Sequence, residues 1–338
     1  MNRATRTVLV RVAWVVPVAL GVVTVTFFVS RVLSGDPSEL FMPSDADQQL
    51  RDQIRASMGL DASLPVQYWT FLVDLLHGDL GTSFTTGQPV AADLSDRLPA
   101  TLELGLVGVL IGLGVGIPLG VLAAIRRDGW PDFLIRGVTV GGMALPSFWL
   151  GLILILLFSV TLDVLPGPVG RLPIGTPEPD RVTGFLLVDS LLAGDPGLFG
   201  QACLHLVLPA VTLGVLILAP VARVTRTAMV EALQSDYVRT AVAMGTGKAR
   251  VWFRCALRNA LLPVVTMSGG VIGFAFSGAV LIEAVFGWPG VGQYALSAIS
   301  RADYPALQGF VMYAALLYVL VYLAVDLLYL VVDPRTRT

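Results

Sequence analysis

Charge is scarce in this sequence. Only 14% of the 338 residues are Asp, Glu, Lys or Arg, against 55% hydrophobic, whereas a soluble domain carries about a quarter charged. Too few polar side chains exist to cover a water-soluble body of this size. A plain soluble enzyme and an intrinsically disordered chain are therefore excluded. A mean hydropathy of +0.77 points to a polytopic membrane protein. Cysteine and histidine are also scarce, with Cys203, Cys255, His77 and His205 as the full set. No CxxC or HExxH spacing occurs, which argues against a protein-built metal site and against a disulfide framework. Both cysteines read as small apolar packing residues. No Ser-His-Asp set or carboxylate pair is legible, so intramembrane proteolysis lacks support. A phosphate loop is missing too. Gly245-Thr246-Gly247-Lys248 imitates one, but Val242 and Ala249 stand where the motif needs Gly and a hydroxyl. The chain thus has no ATPase of its own and binds no cofactor directly, and nothing calls for a nucleic-acid partner.

What is present is long apolar runs. A helix crosses the hydrocarbon core in about 20 mostly apolar residues, and six stretches qualify. They run from about Leu9 to Val32, Thr101 to Ile125, Gly137 to Leu162, Leu204 to Ala222, Leu261 to Phe286 and Ala306 to Val332. The first is longer than a signal-peptide core and has no small-residue cleavage site after it, so it reads as a retained helix.

The few charges orient these spans. With the N-terminus inside and six alternating spans, the inner side holds 15 of the 22 basic residues and the outer side seven. Of the 24 acidic residues, six fall inside and 18 outside, giving +9 against −11 behind a total of −2. This is the positive-inside pattern. The expected fold is all-α and polytopic, with six transmembrane helices, both termini cytoplasmic, a cytoplasmic helical loop and an extended outer segment after the first helix. Residues 1–32 hold the N-terminus and first span, 33–98 the outer segment and 99–338 the core. That core includes an outer loop, 163–203, and a cytoplasmic loop, 223–260. Cys203 and Cys255 then lie on opposite faces and cannot pair within one chain.

Within the outer segment, Asp45–Met58 is polar and helix-permissive. Pro65–His77 is amphipathic and opens on proline, so it lies on the membrane or packs on the spans. The 163–203 loop reads as irregular, with one short helix around Phe185–Ala193. The cytoplasmic loop is richer. Across Ala228–Met244, Val230, Leu233, Tyr237, Ala241 and Met244 recur at helical spacing as one apolar stripe. Gly245 follows where a helix wants a left-handed residue. Lys248–Leu261 is strongly basic. A short helix standing out of the membrane is something another protein can grip; it also fits a basic helix lying on headgroups.

At this loop the sequence resembles the permease subunit of a bacterial ABC importer of the dipeptide/oligopeptide/nickel type, the first permease of the pair. Tyr237-Val238-Arg239-Thr240-Ala241-Val242-Ala243-Met244-Gly245 and Arg258-Asn259-Ala260-Leu261-Leu262-Pro263 match that branch's ATPase-docking element. Gly78-Asp79-Leu80-Gly81-Thr82-Ser83, Leu145-Pro146-Ser147-Phe148-Trp149-Leu150-Gly151, Glu283 through Gly292 and Asp333-Pro334-Arg335 match in order along the chain. Met244, Cys255 and Tyr322 depart from the branch's common Lys, His and Asn.

The resemblance implies a non-catalytic subunit of the bacterial cytoplasmic membrane that forms a translocation pathway for small peptides by alternating access. The runner-up cargo is nickel or another small solute; a stand-alone secondary transporter would leave the loop unexplained. Implied partners are a second homologous permease, two ABC ATPases using ATP and Mg, an extracytoplasmic substrate-binding lipoprotein, and the bilayer. The implied coupling residues are Glu231, Asp236, Tyr237, Arg239, Thr240, Ala241, Ala243, Met244, Gly245 and Lys248. Gly108, Gly112, Gly116 and Gly120 form a small-residue stripe on the second span. Gly269 and Gly273 repeat it on the fifth. Such stripes serve static packing or a sliding surface. Glu283, Trp288 and Pro289 are candidates for the outer face or pathway. Asp326, near the inner end of the sixth span, could pair with Arg136. Charges near spans are functional candidates by default, with structural pairing as the other reading.

Overall fold

The computed structural model describes residues 17, 20–28, 47–50 and 61–332, the backbone alone at 322 and 325–332. Among these the architecture is all-helical, with no named strand. The helices are α1 (Leu64–Leu76), α2 (Val90–Ile125), α3 (Trp130–Ala144), α4 (Ser147–Leu154), α5 (Leu186–Leu192), α6 (Pro196–Gln234), α7 (Asp236–Ala243), α8 (Lys248–Phe286), α9 (Val291–Ser300) and α10 (Tyr304–Val332). Two π-helical segments accompany them: Ile155–Thr161 continues directly from α4, and α8 passes through Val251–Ala256.

Helices α2, α6, α8 and α10 are long and apolar enough to cross a membrane, and the α3–α4 pair makes up to a fifth span. Of the expected first span, residue 17 and residues 20–28 are helical and the rest lies outside the described residues. The third expected span is not one helix. Its halves meet at 111°, because Leu145 turns extended (φ −87°, ψ 131°) ahead of Pro146, which disfavours the α conformation in the residue before it. Helix α2 starts earlier than expected, at Val90, and the basic stretch from Lys248 is continuous with the fifth span.

The described residues divide into two compact units, one built on 99–293 with 318–332, the other on 61–98 and 294–317 with the described residues before 51. In the first unit α6 is the hub, packing against α3, α4, α5, α7 and α8. Leu213, Ile217 and Val221 interleave with Leu104, Val264 and Ile282 in one buried cluster. Between lipid-embedded helices no hydrophobic drive exists, so close backbone approach carries the association. The glycine stripe supplies it. A Cβ at Gly108 would sit 2.7 Å from Leu213, at Gly112 2.5 Å from Ile217, and at Gly120 2.5 Å from Thr225.

The 163–203 loop is irregular up to residue 185, with the expected short helix as α5, and buried polar contacts brace it. Arg171 Nη2 donates to Glu103 at 2.9 Å, both side chains being buried, and the Leu187 amide donates to Glu103 at 2.8 Å. Asp189 accepts from the Thr183 amide and hydroxyl (2.8 and 2.7 Å) and from the Gly184 amide (2.8 Å). Burial pushes the Asp189 carboxyl up, but these donors outweigh it and hold it below the usual range.

In the second unit, α1 packs on residues 20–28. Phe27 meets Tyr68 and Phe71 at ring separations of 5.3 and 5.5 Å, and the Thr24 hydroxyl bonds Tyr68 Oη at 2.6 Å. Asp303 gathers the Gly81–Thr85 turn and caps α10. It accepts from Ser83 Oγ (2.6 Å), the Thr85 amide (2.8 Å) and the Ala306 amide (3.2 Å).

Candidate functional site

The expected Ala228–Met244 helix breaks in two. Helix α6 carries Ala228, Met229 and Ala232 into a small-residue cluster with Val121, Ala124, Ala256 and Ala260. It stops at Ser235, whose backbone turns extended (φ −70°, ψ 154°) and whose hydroxyl donates back to the Ala232 carbonyl at 2.5 Å. Helix α7 then starts in a new direction and packs against α6 and the first turns of α8.

That break changes which residues face outward. Helix α7 buries Val238 and Ala241. Tyr237, Val242 and Met244 are exposed, Met244 at 74%, and so is Phe253 on α8. The stripe read from the sequence assumed one phase across residue 235, so Ala241 alone of its last three members is buried. The change of phase also turns Val242 outward; Phe253 lies beyond the stripe, in the basic stretch on α8. Of the other coupling candidates, Glu231, Asp236, Arg239, Thr240, Ala243, Gly245 and Lys248 are all exposed.

The end of α7 is as expected. Gly245 adopts φ +82°. The Thr246 amide bonds the Ala241 carbonyl at 3.0 Å and the Gly245 amide bonds Val242 at 2.9 Å, which satisfies carbonyls a helix end would orphan. A Cβ at Gly245 meets nothing within 4 Å, so the backbone angle alone selects glycine. Arg239 lies 3.6 Å from Asp236 with both side chains largely in solvent. Such a pair is worth little, and the guanidinium is available to a partner.

A second set of contacts positions this surface. Arg226 of α6 grips Asp132 in the first turn of α3, Nε to Oδ1 at 2.6 Å and Nη2 to Oδ2 at 2.7 Å. Asp132 also accepts the Asp128 amide at 3.0 Å, fixing a turn in which Asp128 holds φ +61°. The two residues are 94 positions apart, so no local spacing in the sequence links them.

Glu283 and Trp288 are buried within the chain. Glu283 is fully buried and accepts Thr101 Oγ1 at 2.6 Å and the Gln293 amide at 3.0 Å. Thr101 Oγ1 accepts the Val291 amide at 2.8 Å, and the Trp288 indole donates to the Ala100 carbonyl at 2.9 Å. Gly292 lets this carboxylate approach: a Cβ there would lie 2.8 Å from Oε2. Pro289 is exposed. Gly269 and Gly273 are buried, Gly273 against the Tyr318 ring. The Asp326 side chain, and with it the suggested Arg136 pair, lies outside what is described.

Residues 116–338 match the family described as binding-protein-dependent transport system inner membrane component, and residues 5–105 match its N-terminal membrane component. The chain is 46% identical to the probable D,D-dipeptide transport system permease protein DdpB of Escherichia coli K12, over 94% of this chain and 93% of that protein. It is 43% identical to the di/tripeptide transport system permease protein DppB of Pseudomonas aeruginosa, over 97% of each. It is 35% identical to the glutathione transport system permease protein GsiC of Pectobacterium atrosepticum, over 97% of each.

Proposed function

The chain belongs to the family of binding-protein-dependent transport system inner membrane components, and from that premise we propose how its parts serve import. It is a multi-pass inner-membrane permease subunit of a peptide ABC importer, the membrane component rather than the catalytic one. The observation that carries the cargo class is likeness over nearly the whole chain to permeases named for D,D-dipeptides, di/tripeptides and glutathione.

The finer reading has six spans with both termini cytoplasmic, supported by the fifteen-to-seven split of its 22 basic residues. Helix α7 and the Gly245–Lys248 turn are the coupling element. Exposed Tyr237, Val242, Met244 and Phe253 seat in a groove on one of two ABC ATPases, and Arg239 and Lys248 meet acidic residues at its rim. The ATPases consume ATP with Mg. Their closure pushes α7, and the packing of α7 on α6 and α8 passes the movement to two spans. A second permease completes the pathway, and an external binding lipoprotein delivers peptide to it.

The test is reconstitution of the natural complex into lipid vesicles with labelled dipeptide on the face that meets the binding protein. ATP-dependent dipeptide uptake, lost on omitting the binding protein, is expected. Flux from a homodimer of this chain without ATPases would overturn the reading.

A further inference from the structure

Between α3 and α6, next to the Asp132–Arg226 pair, lies an open cavity of about 610 Å³. Its walls carry Arg127, Arg136, Arg223 and Arg226 against only Asp128 and Glu231. Among the described residues these charges are not all spent. Arg226 is consumed by Asp132 and Arg127 lies 3.4 Å from Asp128. The guanidiniums of Arg136 and Arg223 have no ion pair or hydrogen bond among the described residues.

The same cavity has an apolar side, formed by Ile135, Val140 and Val230. On α3, Phe133, Arg136 and Val140 stand three and four positions apart and so share one helix face. Phe133 and Val140 are exposed at 70% and 64%. Trp130 stacks on Phe133 with ring centroids 6.3 Å apart and is itself 70% exposed. Trp at such a position marks the headgroup level of a bilayer. Two guanidiniums with no partner among the described residues, beside an aromatic at headgroup depth and an exposed apolar strip, match an amphipathic anion, not a purely polar one. A free phosphate would use the arginines and leave the strip idle.

We propose that this cavity binds the phosphate of an anionic phospholipid, held by Arg136 and Arg223, with an acyl chain along Phe133 and Val140. Guanidinium–phosphate contacts are charge-assisted and forked, and basic pockets between spans on the inner side are suited to acidic headgroups. Because the cavity abuts the Asp132–Arg226 pair and Glu231 just ahead of α7, the lipid would bear on the segment that carries the coupling surface.

Native mass spectrometry of the detergent-purified complex, titrated with phosphatidylglycerol or phosphatidylcholine, tests this. Phosphatidylglycerol is expected to bind about fivefold tighter or more, since one basic residue near an anionic lipid is worth about that factor. Arg136→Gln with Arg223→Gln should erase the preference, Arg136→Lys should keep most of it, and millimolar inorganic phosphate should not displace the lipid. Equal binding of the two lipids, or a preference that survives the double substitution, overturns the proposal. Displacement by inorganic phosphate, with phosphate binding in lipid-free micelles, would assign the site to a soluble anion instead. Should the double variant fail to fold, the wild-type preference and its loss on raising salt decide the matter.

Discussion

Arg226 closes on both oxygens of Asp132, at 2.6 and 2.7 Å, and so ties the start of α3 to α6 just before α7. Asp132 is 1% exposed and Arg226 21%. Removing one partner leaves the other charge poorly solvated, a loss of 3–5 kcal/mol for a fully buried pair and about 2 kcal/mol here, where Arg226 reaches solvent. We expect Asp132→Asn and Arg226→Gln each to lower the melting temperature of the detergent-solubilised complex. The double variant should lose less than the sum. Additive losses in that cycle would show that the two residues do not act as a pair.

The glycines of α2 differ in what a side chain would meet. At Gly112 a Cβ would sit 2.5 Å from Ile217 and 3.1 Å from the Gly214 carbonyl, whereas at Gly114 nothing lies within 4 Å. Gly112→Leu should therefore cost about 3 kcal/mol through overpacking and reduce the assembled complex recovered from membranes. Gly114→Leu should assemble normally. If Gly112→Leu assembles fully but fails to transport, the stripe is a moving surface and not fixed packing.

Local signals were legible where one short segment decides the outcome. Pro65 placed the start of α1, Gly245 placed the end of α7, and the apolar runs placed α2, α6, α8 and α10. What was hidden depends on partners distant in sequence. Glu103 and Arg171 are 68 positions apart, and Thr101 and Glu283 are 182, so no local spacing shows that they pair. The break at Ser235 was hidden for another reason. Serine neither forbids nor demands a helix interior, and the apolar spacing continues across it, so only tertiary packing reveals the change of phase. The bend at Leu145-Pro146 had a visible cause, but a run apolar from Gly137 to Leu162 outweighed it.

Asp303 sets a pH dependence for the second unit. Burial pushes its carboxyl up, but the Ser83 hydroxyl and the Thr85, Phe84 and Ala306 amides outweigh that and hold it below the usual range. Its folded-state affinity for protons is thus lower than the unfolded one. The stability it contributes is complete above about pH 4 and is lost as pH falls through the folded value. Burial pushes the nearby Tyr294 phenol up to about 12, so tyrosine stays neutral throughout. Asp303→Asn should cost about 2 kcal/mol at neutral pH and flatten the decline in melting temperature below pH 5. Parallel pH curves for variant and wild type would remove Asp303 as the cause.

Lys248 is the chain's sole lysine, and it is exposed at the Gly245–Lys248 turn. An amine-directed reagent therefore reports on the proposed ATPase contact with little background beyond the chain's N-terminus. If α7 is the coupling element, Lys248 labels readily in the isolated permease and becomes at least about tenfold slower when the ATPases are bound. Met244→Glu puts a charge on the apolar patch at a site 74% exposed, where it disturbs no internal packing. It should leave membrane insertion intact, restore Lys248 labelling and separate ATP hydrolysis from uptake. Gly245→Arg tests the same surface through the backbone. The side chain has room, but φ +82° costs a residue with a Cβ about 1–2 kcal/mol, so it should uncouple by distorting the end of α7. Unchanged labelling on ATPase binding, together with normal transport in both variants, would move the docking contact away from this turn.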